Sequence, residues 1–172
     1  MNDTADIAVR RAAEGDIERL YEMNQASVPG VGSVSGQAFK QLVMELGDIV
    51  LVASDGDGPL GFVLCMVEGT DYGSLNYKWL AQRYDSFAYV DRVAVDESAR
   101  GLGIGGLLYD AVADHYAGLR PVLTAEVNLE PPNPGSLKFH RRHGFADVGE
   151  RWDDDGSKGV VYLARSLSLA RA

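Results

Sequence analysis

The stretch RGLGIGG, running from Arg100 to Gly106, sets four glycines within seven residues. An apolar, strand-like run, FAYVDRVAV, lies just upstream, and a helix-like run, LLYDAVADHYA, follows at once. A tight strand-to-helix connection needs one or two glycines. Four of them, placed where the helix begins, leave backbone amides bare at a point where the first helical turn has unpaired N–H groups and a positive dipole end. Without Cβ atoms an anion can approach those amides closely. The chain is therefore expected to be an α/β protein with an anion site at the start of its central helix.

The rest of the chain supplies the other layers. DIAVRRA (6–12) alternates as a strand, and EGDIERLYEMNQAS carries Ile17, Leu20 and Tyr21 at helical spacing. VPGVGSVSG reads as a loop. QAFKQLVMELG reads as a second helix stopped at Gly47. DIVLVAS and LGFVLCMVEG, joined through DGDGP, form a hairpin pattern. Residues 71–86 are aromatic and irregular. A strand (87–95), a helix (104–118), a strand (121–129), a short helix (PGSLKFHRRHG) and a closing hairpin around DDDGSK complete the order β-α-α-β-β-β-α-β-α-β-β. That order predicts one mixed α/β sheet in a single domain over 1–172.

Composition narrows the function. The chain has 172 residues, is 46% hydrophobic and carries a formal charge of −9, which suits one domain with a real core. An acidic surface repels phosphate backbones, so nucleic acid is not an expected partner and any anionic ligand must be held locally. Cys65 is the single cysteine, which excludes an internal disulfide and a thiolate zinc cluster. The start MNDTADIAVRR has no apolar signal region, and no apolar run approaches the roughly 20 residues of a membrane span. The expectation is a soluble, cytoplasmic protein with no membrane partner.

Three phosphate-binding patterns compete for the glycines. The Walker loop fails because no lysine follows them. The dinucleotide fingerprint is literally present at Gly101, Gly103 and Gly106, with Glu126 where a ribose-binding acid would stand. However, five residues, DESAR, separate Val95 from Gly101, and only one crossover helix sits mid-chain after a hairpin. The nicotinamide reading is therefore the poorer one. The third pattern is Arg-x-x-Gly-x-Gly at Arg100, Gly103 and Gly105, preceded by YVDRVAV. A second motif follows in NPGSLKFHRRHGF, with Asn133, Ser136, Phe139, His140, Gly144 and Phe145 at the spacing Asn-x-x-Ser-x-x-Phe-His-x-x-x-Gly-Phe.

With both motifs in order on their expected elements, the chain resembles the GNAT superfamily of acyl-CoA-dependent N-acetyltransferases from about Ile7 to Leu163. The resemblance implies a GNAT-like fold with two parallel central strands splayed apart, here 87–95 and 121–129. It also implies acetyl-CoA as acyl donor, an amine as acceptor, and direct attack on the thioester in a ternary complex. The pantetheine arm would pair with the backbone at Val93 and Val95, as an added strand does. The diphosphate would rest on the amides of Arg100, Gly101, Leu102, Gly103, Ile104, Gly105 and Gly106, and the Val93 N–H would serve the thioester carbonyl. Asn133, Ser136 and Phe139 would contribute to the cofactor site, Asn133 also being a good N-cap before Pro134.

The chemistry needs a proton acceptor, because alkylamines are mostly protonated near neutral pH. Asp91 and Glu126 are the carboxylates expected to serve, directly or through water. For Asp91 an ion pair with Arg92 or Arg141 is the competing reading. Thr124, Glu126 and Asn128 share one face by strand alternation, which fits either a cleft border or a structural role. The departing thiolate gains from a proton donor. Where the family often has tyrosine, this chain has His140, which donates only while protonated. That departure keeps a second function open, a non-catalytic acyl-CoA-binding module.

Other features carry less. His143 sits in the last turn before Gly144 as a structural cation, and no third ligand joins His140 and His143, so no metal site is expected. Cys65 reads as a buried inert thiol. DGDG and DDDG read as turns, not calcium loops. The aromatic segment 71–89 fits an acceptor pocket, core packing or a homodimer contact equally. The loop 28–36 is the other place where the family builds acceptor specificity. The acids Glu68, Asp71 and Asp85 fit a cationic amine.

Overall fold

The computed structural model describes residues 6–167. The first residues of the MNDTADIAVRR start and the last five of the domain expected over 1–172 lie outside them. In chain order the elements are β1 (Ala8–Arg11), α1 (Ile17–Ala26), α2 (Gly36–Gln41), β2 (Ile49–Asp55), β3 (Gly58–Val67), α3 (Leu75–Ala81), β4 (Ala88–Val95), α4 (Ile104–Tyr116), β5 (Val122–Glu130), α5 (Pro134–Arg142), β6 (Ala146–Trp152) and β7 (Gly159–Ser166). The strands form a seven-stranded mixed sheet in the order β1-β2-β3-β4-β5-β7-β6.

The expected order therefore needs one correction. The segment 71–86 is not irregular throughout, because it contains α3. Ser74 caps this helix by accepting from the Tyr77 N–H, and Tyr77 and Leu80, one turn apart, are its buried residues. Seven residues are too few for a clear helical period, and aromatic side chains on both sides obscured it. The second helix also differs in detail: after α2 it continues as a π-helical stretch, Leu42–Leu46, before stopping at Gly47 as expected.

The chain divides into two compact units. The first joins the residues up to Met66 with Asp91–Asp114. In it β1 pairs antiparallel with β2 (Ala8↔Ser54 to Arg11↔Leu51), and β2 with β3 (Ile49↔Cys65 to Asp55↔Gly58). β2 and β3 are buried on both faces over most of their length. Phe39 of α2 packs edge-on against Phe62 of β3, with centroids 5.8 Å apart. Asp55 Oδ1 accepts from the N–H groups of Asp57 and Gly58, so DGDG is the β2–β3 turn.

The second unit joins Val67–Val90 with the residues from His115 onward. The start of β4 pairs parallel with β5 at Ala88↔Leu123 and Tyr89↔Thr124. β5 pairs antiparallel with β7, and β7 with β6, which closes the expected hairpin. Trp79 of α3 stacks on Tyr162 of β7 at 3.9 Å between centroids. It approaches β6 so closely that a Cβ at Gly149 would come within 2.5 Å of its ring.

Candidate active site

The glycine stretch has the conformation its composition predicts. Gly101 and Gly103 hold φ angles of +83° and +77°, which side chains rarely adopt, and a Cβ built on either meets nothing within 4 Å. The backbone here is left-handed and faces open space. Ile104, 2% exposed, anchors the far end of the loop in the core, whereas Leu102 is 54% exposed. The Leu107 N–H donates to the Gly103 carbonyl at 3.1 Å, the first bond of α4. The amides just before it have no carbonyl one turn back within the helix. The Arg100 amide donates to Glu97 O at 3.4 Å. Of the amides expected to bind an anion, that of Arg100 is thus already engaged within the protein, while its side chain is exposed.

Two features that the sequence reading passed over position this loop. Gly61 of β3 is one. A Cβ there would lie 2.9 Å from Ile104 Cγ2 and 3.1 Å from the Ala94 carbonyl, so only glycine lets α4 begin this close to the sheet. The lone glycine inside an apolar strand was the available signal. Asp96 is the other. It accepts from the Ser98 N–H at 3.0 Å and the Ser98 hydroxyl at 2.5 Å, and it pairs with Arg19 of α1. The Ser98 hydroxyl, the Arg19 guanidinium and the Ser98 amide together hold its carboxyl down at about 2. A cavity of about 460 Å³ runs along this edge, bordered by Arg19 and Met23 of α1, by Val95, and by Glu97, Ser98 and Arg100. Val93 and Val95 alternate with buried Arg92 and Ala94 along β4 and are themselves half-buried.

Asp91 and Arg92 belong to the same unit, and the ion-pair reading of Asp91 is the one realised. Its Oδ2 lies 2.7 Å from Arg92 Nε, and the two side chains are 4% and 6% exposed. Arg92 Nη1 also donates to Asn24 Oδ1 at 2.9 Å and to the Gly32 carbonyl at 3.3 Å. Asn24, fully buried, donates in turn to Gly32 O and to Gln25 Oε1. This buried cluster ties the 27–35 connection to β4, and Asn24 gave no sign of it in the sequence. Cys65 is also fully buried, which pushes its thiol up and keeps it from acting as a nucleophile.

The second unit holds Glu126, Asn133, Ser136, Phe139 and His140. Glu126 Oε1 accepts from the Tyr89 hydroxyl at 2.8 Å and from Asn76 Nδ2 at 3.3 Å. Its neighbours on the same face diverge. Thr124 is fully buried and donates to the Ala88 carbonyl at 2.9 Å, a structural bond, while Asn128 is half-buried. Asn133 caps α5 by accepting from the Ser136 N–H at 3.3 Å, with Pro134 at the first helical position, so its architectural role is realised. Phe139 is half-buried against the His143 ring, 4.4 Å away.

His140 is 3% exposed. Its Nδ1 lies 2.7 Å from the Ser136 carbonyl oxygen, which can only accept, so Nδ1 carries the hydrogen and donates. The ring stands nearly perpendicular to those of Phe139 and Phe145. Burial holds the imidazole below its usual range against the opposing pull of the Ser136 carbonyl, and His143 lowers it further. It is neutral at physiological pH, the wrong state for protonating a thiolate. Arg141 pairs with Asp147 at 3.0 Å. Glu68 is bound as well: Arg120 at 2.9 Å and the Phe87 N–H at 3.1 Å hold it, so it is not a loose acid awaiting a cationic amine. Among the described residues no helix is long and apolar enough to cross a membrane.

The comparisons with known proteins fit this geometry. The model of the acetyltransferase (GNAT) family matches residues 17–145. No curated protein matches the chain. Among solved structures, the ribosomal-protein-S18-alanine N-acetyltransferase of Escherichia coli superimposes with a TM-score of 0.73 at 18% identity, covering 96% of each chain. NAA60 of Arabidopsis thaliana, solved with a bisubstrate analogue, gives 0.72 at 19% identity over 93% of this chain and 97% of its own. Ard1 of Thermoplasma volcanium also gives 0.72 at 19% identity, over 94% and 97%. At such identities the structures speak for the fold alone. The family model spans far more than half of the sequence, from α1 to the Phe145 that ends the second motif, and takes in the glycine loop. The chain belongs to the GNAT acetyltransferase family.

Proposed function

We propose that this acetyltransferase moves an acetyl group from acetyl-CoA to a primary amine. One observation carries the reading. Two glycines in left-handed conformation, with open space where side chains would project, lead directly into the N-terminus of α4. That is a seat for a diphosphate, held by backbone amides and the helix dipole in a chain whose overall charge would repel it. The amides of Gly101 to Gly106 take the diphosphate, and Val93 and Val95 pair with the pantetheine arm. The Val93 N–H steadies the oxygen that gains charge as the amine attacks.

In the reaction the amine nitrogen bonds to the thioester carbon, the C–S bond breaks, and the amine's proton leaves. Glu126 is the proton acceptor in this reading, because Asp91 is already committed to a buried cation. The CoA thiolate departs with its own charge and takes a proton from solvent, since His140 is neutral and donates its one N–H to Ser136. The same observation favours a second reading, a domain that binds acyl-CoA without turning it over.

Thiol release from acetyl-CoA with spermidine, lysine methyl ester, tyramine and a tri-alanine peptide separates the two. Release with any of these amines supports the transferase. Tight CoA binding with no release favours the binding module. Thermal protection by NAD and not by CoA would defeat both. His140→Ala leaving turnover per folded molecule unchanged is the expected result for a histidine that is no donor.

A further inference from the structure

The hydrogen bonds behind Glu126 run in one direction. Asn76, at the start of α3, donates through Nδ2 to Glu126 Oε1. Its Oδ1 accepts from the Tyr162 hydroxyl at 2.9 Å and from Arg151 Nη2 at 3.3 Å. Two donors on the carbonyl side fix which end of the amide faces Glu126. The Tyr162 oxygen itself accepts from Arg151 Nε at 3.2 Å, which leaves its hydrogen for Asn76. Burial raises the Tyr162 hydroxyl further above neutrality, so it remains a donor. Tyr89, fully buried, supplies a second hydrogen to the same carboxylate oxygen.

We infer that Asn76, backed by Tyr162 and Arg151, is a positioning residue that orients Glu126 and favours its ionised, proton-accepting form. The proposal rests on Glu126 being the base of the reaction. Its physical content is that every donor in the chain Arg151–Tyr162–Asn76–Glu126 points toward the carboxylate. Donors strengthen as their acceptor becomes charged, and a chain of them polarises cooperatively. The charged or titratable groups around the cluster include Tyr89 of β4, Arg83, which follows α3 and lies over the Trp79 ring, Tyr162 of β7, and Arg151 of β6 with its partner Asp153 at 3.4 Å. Asn76 lies in the segment that looked irregular, so nothing in the sequence marked it.

The test uses full-length protein carrying 13C-labelled glutamate carboxyls, with Glu126 assigned by its disappearance in Glu126→Gln. The pH titration of that resonance is read in wild type, Asn76→Ala, Asn76→Gln, Tyr89→Phe and Tyr162→Phe. The acid limb of kcat/KM is read beside it, with whichever of the four amines above supports CoA release. Asn76→Ala and Tyr89→Phe are expected to move both midpoints up by about one pH unit. Tyr162→Phe moves them less, because its hydroxyl acts through Asn76, and Asn76→Gln, which keeps an amide, stays nearer wild type. Folded Asn76→Ala and Tyr89→Phe proteins whose Glu126 titrates as in wild type would overturn the proposal. Wild type that releases no CoA with any amine would defeat the functional reading, while the titration would still decide whether the network orients the carboxylate.

Discussion

Asp91→Ala separates a structural carboxylate from a catalytic one. In the structure the Asp91 side chain is 4% exposed and sits 2.7 Å from Nε of the Arg92 side chain, which is 6% exposed. Removing it strands a buried cation, a change that costs about 3–5 kcal/mol where no other group compensates. Asn24 Oδ1 and the Gly32 carbonyl still accept from Arg92, which puts the expected loss near the lower end, about 3 kcal/mol. In a chain of this length that lowers the melting midpoint by roughly 6–12 °C. Urea unfolding followed by circular dichroism measures the loss. The double variant Asp91→Leu with Arg92→Met removes both charges and should recover part of it, because an apolar pair leaves no buried cation while Asn24 Oδ1 loses one donor. The reasoning fails if Asp91→Ala costs less than about 1 kcal/mol while acetyl transfer drops a hundredfold or more, the signature of a lost general base.

Three further expectations follow from the glycine loop and its surroundings. Gly103→Glu should abolish CoA binding in calorimetry, by placing a carboxylate on the diphosphate seat and straining a backbone held at φ +77°, while the circular dichroism spectrum stays native. Undiminished CoA affinity there would remove the diphosphate from this loop. Gly61→Val should push Ile104 and the start of α4 away from β3, weakening CoA binding and lowering stability by about 1–3 kcal/mol in urea titrations. Asp96 is held at about 2 by Ser98 and Arg19, below its unfolded value near 4. The stability it contributes is present above pH 4 and disappears as pH falls from about 4 to 2, so Asp96→Asn should flatten the acid side of the stability profile. An unchanged profile would show that these contacts do not persist in solution.

Much of this site was legible because it is backbone chemistry. A positive φ at Gly101 and Gly103 is a local demand that glycine alone meets cheaply, and the following helix period locates the start of α4. The Asn133–Pro134 cap and the turns at DGDG and DDDG are local in the same sense: each bond joins residues two or three apart. The order of strands followed from apolar runs of ordinary length, and α3 escaped because seven residues with aromatics on both sides show no period.

Side-chain roles were a different matter, since charge and hydrogen bonding depend on what lies across space. Asp91 reads in the sequence as a base or an ion-pair partner, and its pairing with Arg92, which also bonds Asn24 and Gly32, realises the second. His140 stands in a motif position, yet its protonation is set by burial and by the Ser136 carbonyl. Glu126 was visible as a carboxylate on a strand, but its donors come from residues 37 and 50 positions away. Sequence alone determined where the left-handed glycines precede α4 and which family the motifs resemble, because both are written in short-range patterns. Tertiary structure decided which titratable groups are paired, neutral or oriented, because those states are set by partners distant along the chain and by the low dielectric that packing creates.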